Sequence, residues 1–117
     1  MRNSLIYLSD ILEAMEKIGE FTAGMSYEEF CNDDKTISAV RDKFIIIGEA
    51  AKNIPDDIRT AYPGIAWKDL AGMRDILTHA YFRIDYSLLY LASINRIPDE
   101  RARIKKVYEA LKTQSLF

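Results

Sequence analysis

Cysteine is nearly absent: Cys31 is the only one in 117 residues. That excludes an intrachain disulfide, a multi-cysteine zinc site and an iron–sulfur cluster. A chain without a disulfide framework suits a reducing compartment, so a cytoplasmic location is expected. Histidine is as scarce, with His79 alone, and no cluster of side chains has metal-ligand spacing. Long apolar runs are missing too. The longest, Phe44-Ile45-Ile46-Ile47-Gly48, falls far short of the ~20 residues that span a bilayer, so no membrane role is expected. The N-terminal stretch meets Asp10 and Glu13 too soon to read as a signal peptide. No alternating strand pattern, hairpin dipeptide, repeat or low-complexity segment is found.

What remains is an ordinary globular composition. Hydrophobic residues make up 49% and charged residues 29%, values that exclude a disordered chain. The length predicts one domain over residues 1–117, with a core large enough to do without disulfides or metal. The net charge of −2 conceals an asymmetry. Residues 1–58 carry six Lys/Arg against twelve Asp/Glu, whereas residues 59–117 carry ten against six. The basic half can meet a polyanion or the acidic half of a second copy. Overall acidity argues against indiscriminate coating of nucleic acid, so any such contact is local.

Helical periodicity dominates. Leu5, Leu8, Leu12, Met15 and Ile18 form one apolar stripe, spaced for a helix. Gly24 breaks it, and Ser26-Tyr27-Glu28-Glu29 has capping-box form for a short turn. A second long helix is expected from about Lys35-Thr36, with Ile37, Val40, Phe44, Ile47, Ala51 and Ile54 inward. Ile45 and Ile46 widen that stripe to more than one covered face. Pro55 ends it and can open a turn at Asp56-Asp57-Ile58. After the turn at Tyr62-Pro63-Gly64, a third helix carries Trp67, Leu70, Arg74, Leu77 and Tyr81. Asp85 is the expected N-cap of a fourth, with Leu88, Leu89, Leu91 and Ala92. Ile97-Pro98-Asp99-Glu100 opens the last helix, which turns Ile104, Val107, Tyr108 and Leu111 inward. The prediction is an all-α, antiparallel up-down bundle with short extra helices.

One segment concentrates the chemistry: Gly72-Met73-Arg74-Asp75-Ile76-Leu77-Thr78-His79-Ala80-Tyr81. It holds the sole histidine and sets an arginine on an apolar stripe, where a charge needs a partner or a ligand. Arginine's planar fork suits phosphate oxygens, and histidine exchanges protons near neutral pH. The two form a minimal kit for cleaving RNA without metal. His79 would help the ribose 2′-hydroxyl attack phosphorus or protonate the leaving oxygen, and Arg74 would stabilise the developing charge. A five-residue step, however, turns about 140° and rises about 7.5 Å on an ideal helix. Either the helix loosens after His79, or Arg74 reaches along the groove, or a second copy completes the site. The last is favoured, because one helix presents too few groups to hold a phosphodiester. The plain alternatives are a histidine serving the helix dipole and an arginine paired within the chain, with Glu49 or Asp42.

The other candidates have simple explanations. Cys31 has no base near it in sequence and reads as an indifferent thiol. Asp33-Asp34 and Asp56-Asp57 stand where helices begin, and neither pair has calcium-loop spacing. Tyr7, Tyr62, Tyr86, Tyr90 and Tyr108 lack basic interleaving and read as core or interface.

Arg74-x4-His79-x-Tyr81 resembles the R-x4-H-x-Y signature of HepT-like HEPN toxins. Similarity extends to Tyr7-Leu8-Ser9-Asp10-Ile11-Leu12-Glu13-Ala14, to Ile47-Gly48-Glu49-Ala50-Ala51-Lys52-Asn53-Ile54-Pro55 and to Ala71-Gly72-Met73-Arg74-Asp75, and so covers nearly the whole chain. The resemblance implies a HEPN-like bundle acting as a metal-independent RNA endonuclease, the toxin of a toxin–antitoxin system. Arg74 and His79 fall on the family's catalytic pair, with no cofactor. Tyr81 falls on a tyrosine that receives AMP from a partner nucleotidyltransferase antitoxin of the MntA type. Such a modification would block RNA by bulk and like charge. The resemblance also implies a homodimer with a cleft between copies, or a larger hetero-oligomer with the antitoxin. Asp75 stands where many relatives place asparagine, and adds a negative charge beside the proposed phosphate site. Two other readings remain: a non-catalytic helical subunit that binds a nucleotidyltransferase, and a purely structural dimeric bundle.

Overall fold

The computed structural model describes residues 2–79 and 85–114. Its described residues are helical, with no strand among them. Four long helices carry the core: α1 (Arg2–Thr22), α3 (Asp34–Lys52), α5 (Trp67–His79) and α7 (Ile97–Gln114). Three short ones, α2 (Tyr27–Cys31), α4 (Asp56–Ala61) and α6 (Tyr86–Leu91), fill the connections.

Local chemistry sets most of the helix starts. The Ser26 hydroxyl accepts from the Glu29 N–H at 3.1 Å, and the Glu29 carboxylate accepts from the Ser26 N–H at 3.0 Å. That reciprocal pair satisfies two amides that the first turn of α2 would leave unpaired. The backbone amide of Ser26 holds the Glu29 carboxyl below its ordinary pKa. Asp33 caps α3 by accepting from the Thr36 N–H at 3.0 Å, and that bond lowers its pKa. Asp85 caps α6 through the amides of Ser87 and Leu88. Pro55 is the N-cap of α4, with Asp56 and Asp57 in the first turn beyond it. The acidic pairs thus stand at helix starts, as expected.

Packing follows the apolar stripes. On α3, Ile37, Val40, Phe44, Ile47 and Ala51 are buried, and Ile54 is buried just beyond its end. Ile45 and Ile46 are partly buried against the same core, because α3 lies between α1 and α5. On α1, Leu8, Ile11, Met15 and Ile18 are fully enclosed while Leu5 and Leu12 flank them. The buried line is thus turned by Ile11 from the expected one, since α1 packs against both α3 and α7. Glu16 of α1 pairs with Arg101 near the start of α7. Ser4 near the start of α1 shares a hollow with Leu111 and Gln114 at the end of α7, and with Pro55 beyond α3. α1 therefore runs antiparallel to α7 and to α3, as an up-down bundle requires.

Arg59 of α4 fastens the end of α3. Its Nε donates to the Ile54 carbonyl at 2.9 Å, and one Nη donates to the Ala51 and Lys52 carbonyls at 2.8 and 3.2 Å. The guanidinium fork thereby serves carbonyls at and just past the helix end, where the ladder of amide donors runs out; the Ala51 carbonyl also accepts from the Ile54 N–H at 3.3 Å.

One expectation is borne out and extended, and another is corrected. The last helix opens at Ile97 with Asp99 and Glu100 in its first turn, as expected, but no break precedes it. A five-residue π-helical stretch, Ala92–Arg96, joins α6 directly to α7. Proline has no N–H and its ring crowds the carbonyl four residues earlier. The widened turn just before Pro98, where the Ile97 N–H reaches back to the Ala92 carbonyl, lets the helical run continue. The run from Tyr86 to Gln114 would span about 43 Å at the usual rise, which accounts for much of the molecule's 49 Å length. On α6, Leu89 alone of the expected apolar set is buried; Leu88 is 66% and Leu91 50% exposed. The inward side is made by Leu89, Tyr90, the partly buried Ala92 of the expected set and the buried Ser93. Tyr90 donates to the Met25 carbonyl at 2.7 Å and packs its ring against Phe30, so α2 decides which side of α6 faces in.

Candidate ribonuclease site

The approach of α5 to α3 sets the position of Arg74. Gly48, buried in α3, meets Arg74 so closely that a Cβ there would lie 2.5 Å from the Arg74 Cβ and 2.7 Å from its backbone nitrogen. Only a residue without a side chain fits at this crossing. Leu70, one turn before Arg74, is fully buried, and Trp67 at the helix start is 5% exposed. The Trp67 indole donates to the Tyr62 carbonyl at 3.0 Å, which anchors the first turn of α5 to the preceding loop.

Arg74 is ion-paired through its Nε to Oε1 of Glu49 on α3. Of the two acids that the sequence offered as partners, Glu49 is used; Asp42 pairs with its neighbour Lys43 at 3.7 Å. Glu49 directly follows Gly48, so the residue that allows the close approach and the residue that holds the guanidinium are adjacent in α3. The stripe position of Arg74 is thus balanced by a charge from the neighbouring helix. The sequence named this pair as an alternative to function and did not single out Glu49 as part of a site.

His79 is the last residue of α5. The helix stays α-helical through it, so the His79 position is turned about 140° from that of Arg74 and lies about 7.5 Å further along the axis. Asp75 follows Arg74 on the same helix. Tyr81 lies outside the described residues. Among the described residues, no group of three or more His, Cys, Asp or Glu stands close enough to hold a metal ion. No helix among them is long and apolar enough to cross a membrane. The Cys31 thiol is only half-buried, and its hydrogen bond to Tyr27 pushes the Tyr27 pKa above its ordinary value. Tyr7, Tyr62 and Tyr108 are partly buried against the core, while Tyr86 is 38% exposed.

The described residues thus form an all-helical bundle that carries an arginine and a histidine five residues apart on one helix. The family model described as ribonuclease HepT-like matches residues 11–107, and the chain belongs to that family. It is 45% identical over 101 residues to "Probable ribonuclease HepT" of Thermococcus cleftensis, covering 86% of this chain and 92% of the relative. It is 42% identical over 106 residues to a "Putative RNase" of Methanocaldococcus jannaschii, covering 91% and 85%. A "Putative RNase" of Caldanaerobacter subterraneus is 34% identical over 109 residues, covering 93% and 97%. No solved structure gives a significant match.

Proposed function

We propose that this protein is a metal-independent endoribonuclease, the toxin of a two-component system, and that it cuts RNA in a cleft between two copies. The reading rests on one combination: membership of the HepT-like ribonuclease family, with Arg74 and His79 carried by the single helix α5. In the proposed reaction the ribose 2′-oxygen forms a bond to the adjacent phosphorus and the bond to the 5′-oxygen breaks. His79 takes the 2′-hydroxyl proton or returns one to the leaving oxygen. Arg74 stabilises the charge that builds on the phosphoryl oxygens. The angular offset of the two residues supports a second copy as the source of the missing groups. Arg74's partner on α3 removes the separate argument from an unpaired arginine, so the offset alone motivates the dimer. A partner nucleotidyltransferase would silence the toxin by adding AMP to Tyr81, two residues past His79.

Expression in a bacterial host and cleavage of bulk RNA test the reading. Arg74→Ala and His79→Ala should each stay folded and lose cleavage and growth inhibition. Cleavage by wild type should persist in EDTA. A His79→Ala protein as toxic as wild type would sink the assignment.

A further inference from the structure

We infer that Glu49 is a positioning residue for RNA cleavage: through its ion pair it fixes the direction in which Arg74 presents its guanidinium. The inference rests on the ribonuclease reading of Arg74. Three observations carry it. A Cβ at position 48 would meet the Arg74 Cβ at 2.5 Å and its backbone nitrogen at 2.7 Å, so the root of Arg74 packs directly on the α3 backbone at Gly48. Glu49 then holds the far end of the same side chain by its Nε, so Arg74 is gripped at its root and near its tip by consecutive residues of one helix. Third, the pair is poorly placed to be a stabilising device. The Arg74 side chain is 34% and that of Glu49 49% exposed, and ion pairs so open to water contribute little to stability.

An exposed arginine samples several rotamers, and ordering it when RNA arrives would weaken catalysis. A carboxylate on Nε restricts those rotamers before substrate binds. Nε lies next to the aliphatic stem, so a carboxylate there sets the direction of the planar guanidinium. The Asn53 amide donates to the Glu49 carbonyl at 2.8 Å, which ties the backbone that carries Glu49 to the end of α3.

The test compares wild type, Glu49→Ala, Glu49→Gln and Arg74→Ala in cleavage of a labelled RNA, with thermal melting and arginine-selective NMR of the Arg74 Nε–H. Glu49→Ala should lower kcat about tenfold to a hundredfold, as small misplacements of catalytic groups do. KM and the melting temperature should stay near wild type. Glu49→Gln, which keeps an acceptor but no charge, should retain an intermediate rate. The Arg74 Nε–H signal should be slow to exchange with water in wild type and fast in Glu49→Ala. Wild-type cleavage by Glu49→Ala, or an Nε–H signal unchanged by it, overturns the inference while leaving the ribonuclease reading intact. A rate loss matched by a fall in melting temperature overturns it too, because the effect would then be structural. Undiminished cleavage by Arg74→Ala overturns the ribonuclease role of Arg74, and with it the positioning role, whatever the NMR shows.

Discussion

Glycine at position 48 is a packing requirement, not a conformational one. Its backbone is ordinary α3 helix, and a methyl group there would press on the Arg74 Cβ and backbone nitrogen at once. Neither is the end of a flexible chain, so the helices must separate. Gly48→Ala should lose about 1–3 kcal/mol, the usual range for overpacking, and should also move Arg74 away from α3. Gly19 is the control: exposed in α1, with nothing within 4 Å of an added Cβ. Gly19→Ala should stabilise by up to ~1 kcal/mol through helix propensity. Urea titrations of the two variants should therefore shift in opposite directions. Equal shifts would mean that α3 and α5 can part freely.

The capping acids make a second residue-level prediction. Glu29, Asp33 and Asp85 all have pKa values held below the ordinary carboxylate range by hydrogen bonds to helix-start groups. A carboxyl with a depressed folded pKa contributes stability that is present above its unfolded pKa and lost as pH falls through the folded one. The melting temperature should therefore fall as pH drops below about 4, the unperturbed carboxylate region. Asp33→Asn keeps a capping oxygen but cannot titrate. It should melt close to wild type at pH 7 and lose less on acidification. If the acid limbs of the two curves coincide, the Asp33 cap is not part of the acid sensitivity.

At the scale of elements, the end of α3 at Lys52 depends on a side chain seven residues downstream. Arg59 gives three hydrogen bonds to carbonyls at 51, 52 and 54. Truncating it removes the guanidinium donor from all three carbonyls, two of them in part-buried bonds, so Arg59→Ala should lose about 1–3 kcal/mol. Arg59→Lys should recover little of this, because an ammonium cannot reproduce the fork. Full recovery by lysine, read from denaturant midpoints, would reduce the arrangement to simple charge at a helix end. The caps at Ser26, Asp33 and Asp85 were legible in the sequence because they are made within three residues. The α3 stripe was legible because its period is strict and both neighbouring helices cover it. The orientation of α6 was not. Six residues with apolar side chains on several sides carry no unique face, and the Tyr90–Phe30 contact from α2 chooses it. The continuity past Pro98 was hidden for a related reason: proline after a polar stretch reads as a helix start, and only the π turn shows how the ladder passes through.

For the molecule as a whole, the proposed reaction requires two residues five apart on one helix to act on one phosphate. The angular offset of Arg74 and His79 was legible in the sequence from helix geometry, but which of two acids holds Arg74 was not. α5 remains α-helical to His79, and Arg74 is committed to the α3 side by Gly48 and Glu49. A two-fold dimer offers the simplest solution, since any surface of one copy meets its counterpart with roles exchanged. The site would then combine Arg74 of one copy with His79 of the other, twice per dimer. Sedimentation equilibrium at micromolar concentration should show that dimer, and a clean monomer would remove the composite site. Mixing supplies the sharper test. Arg74→Ala and His79→Ala homodimers should each be inactive. When the two are unfolded together and refolded, half the dimers are mixed by random pairing. Each mixed dimer has one site with both residues intact and one with neither, so the mixture should recover roughly a quarter of wild-type cleavage. If each site instead takes both residues from one copy, every site in every dimer lacks one of them and nothing is recovered. Refolded wild type serves as the reference, and a mixture as inactive as its parents would overturn the exchange of residues between copies.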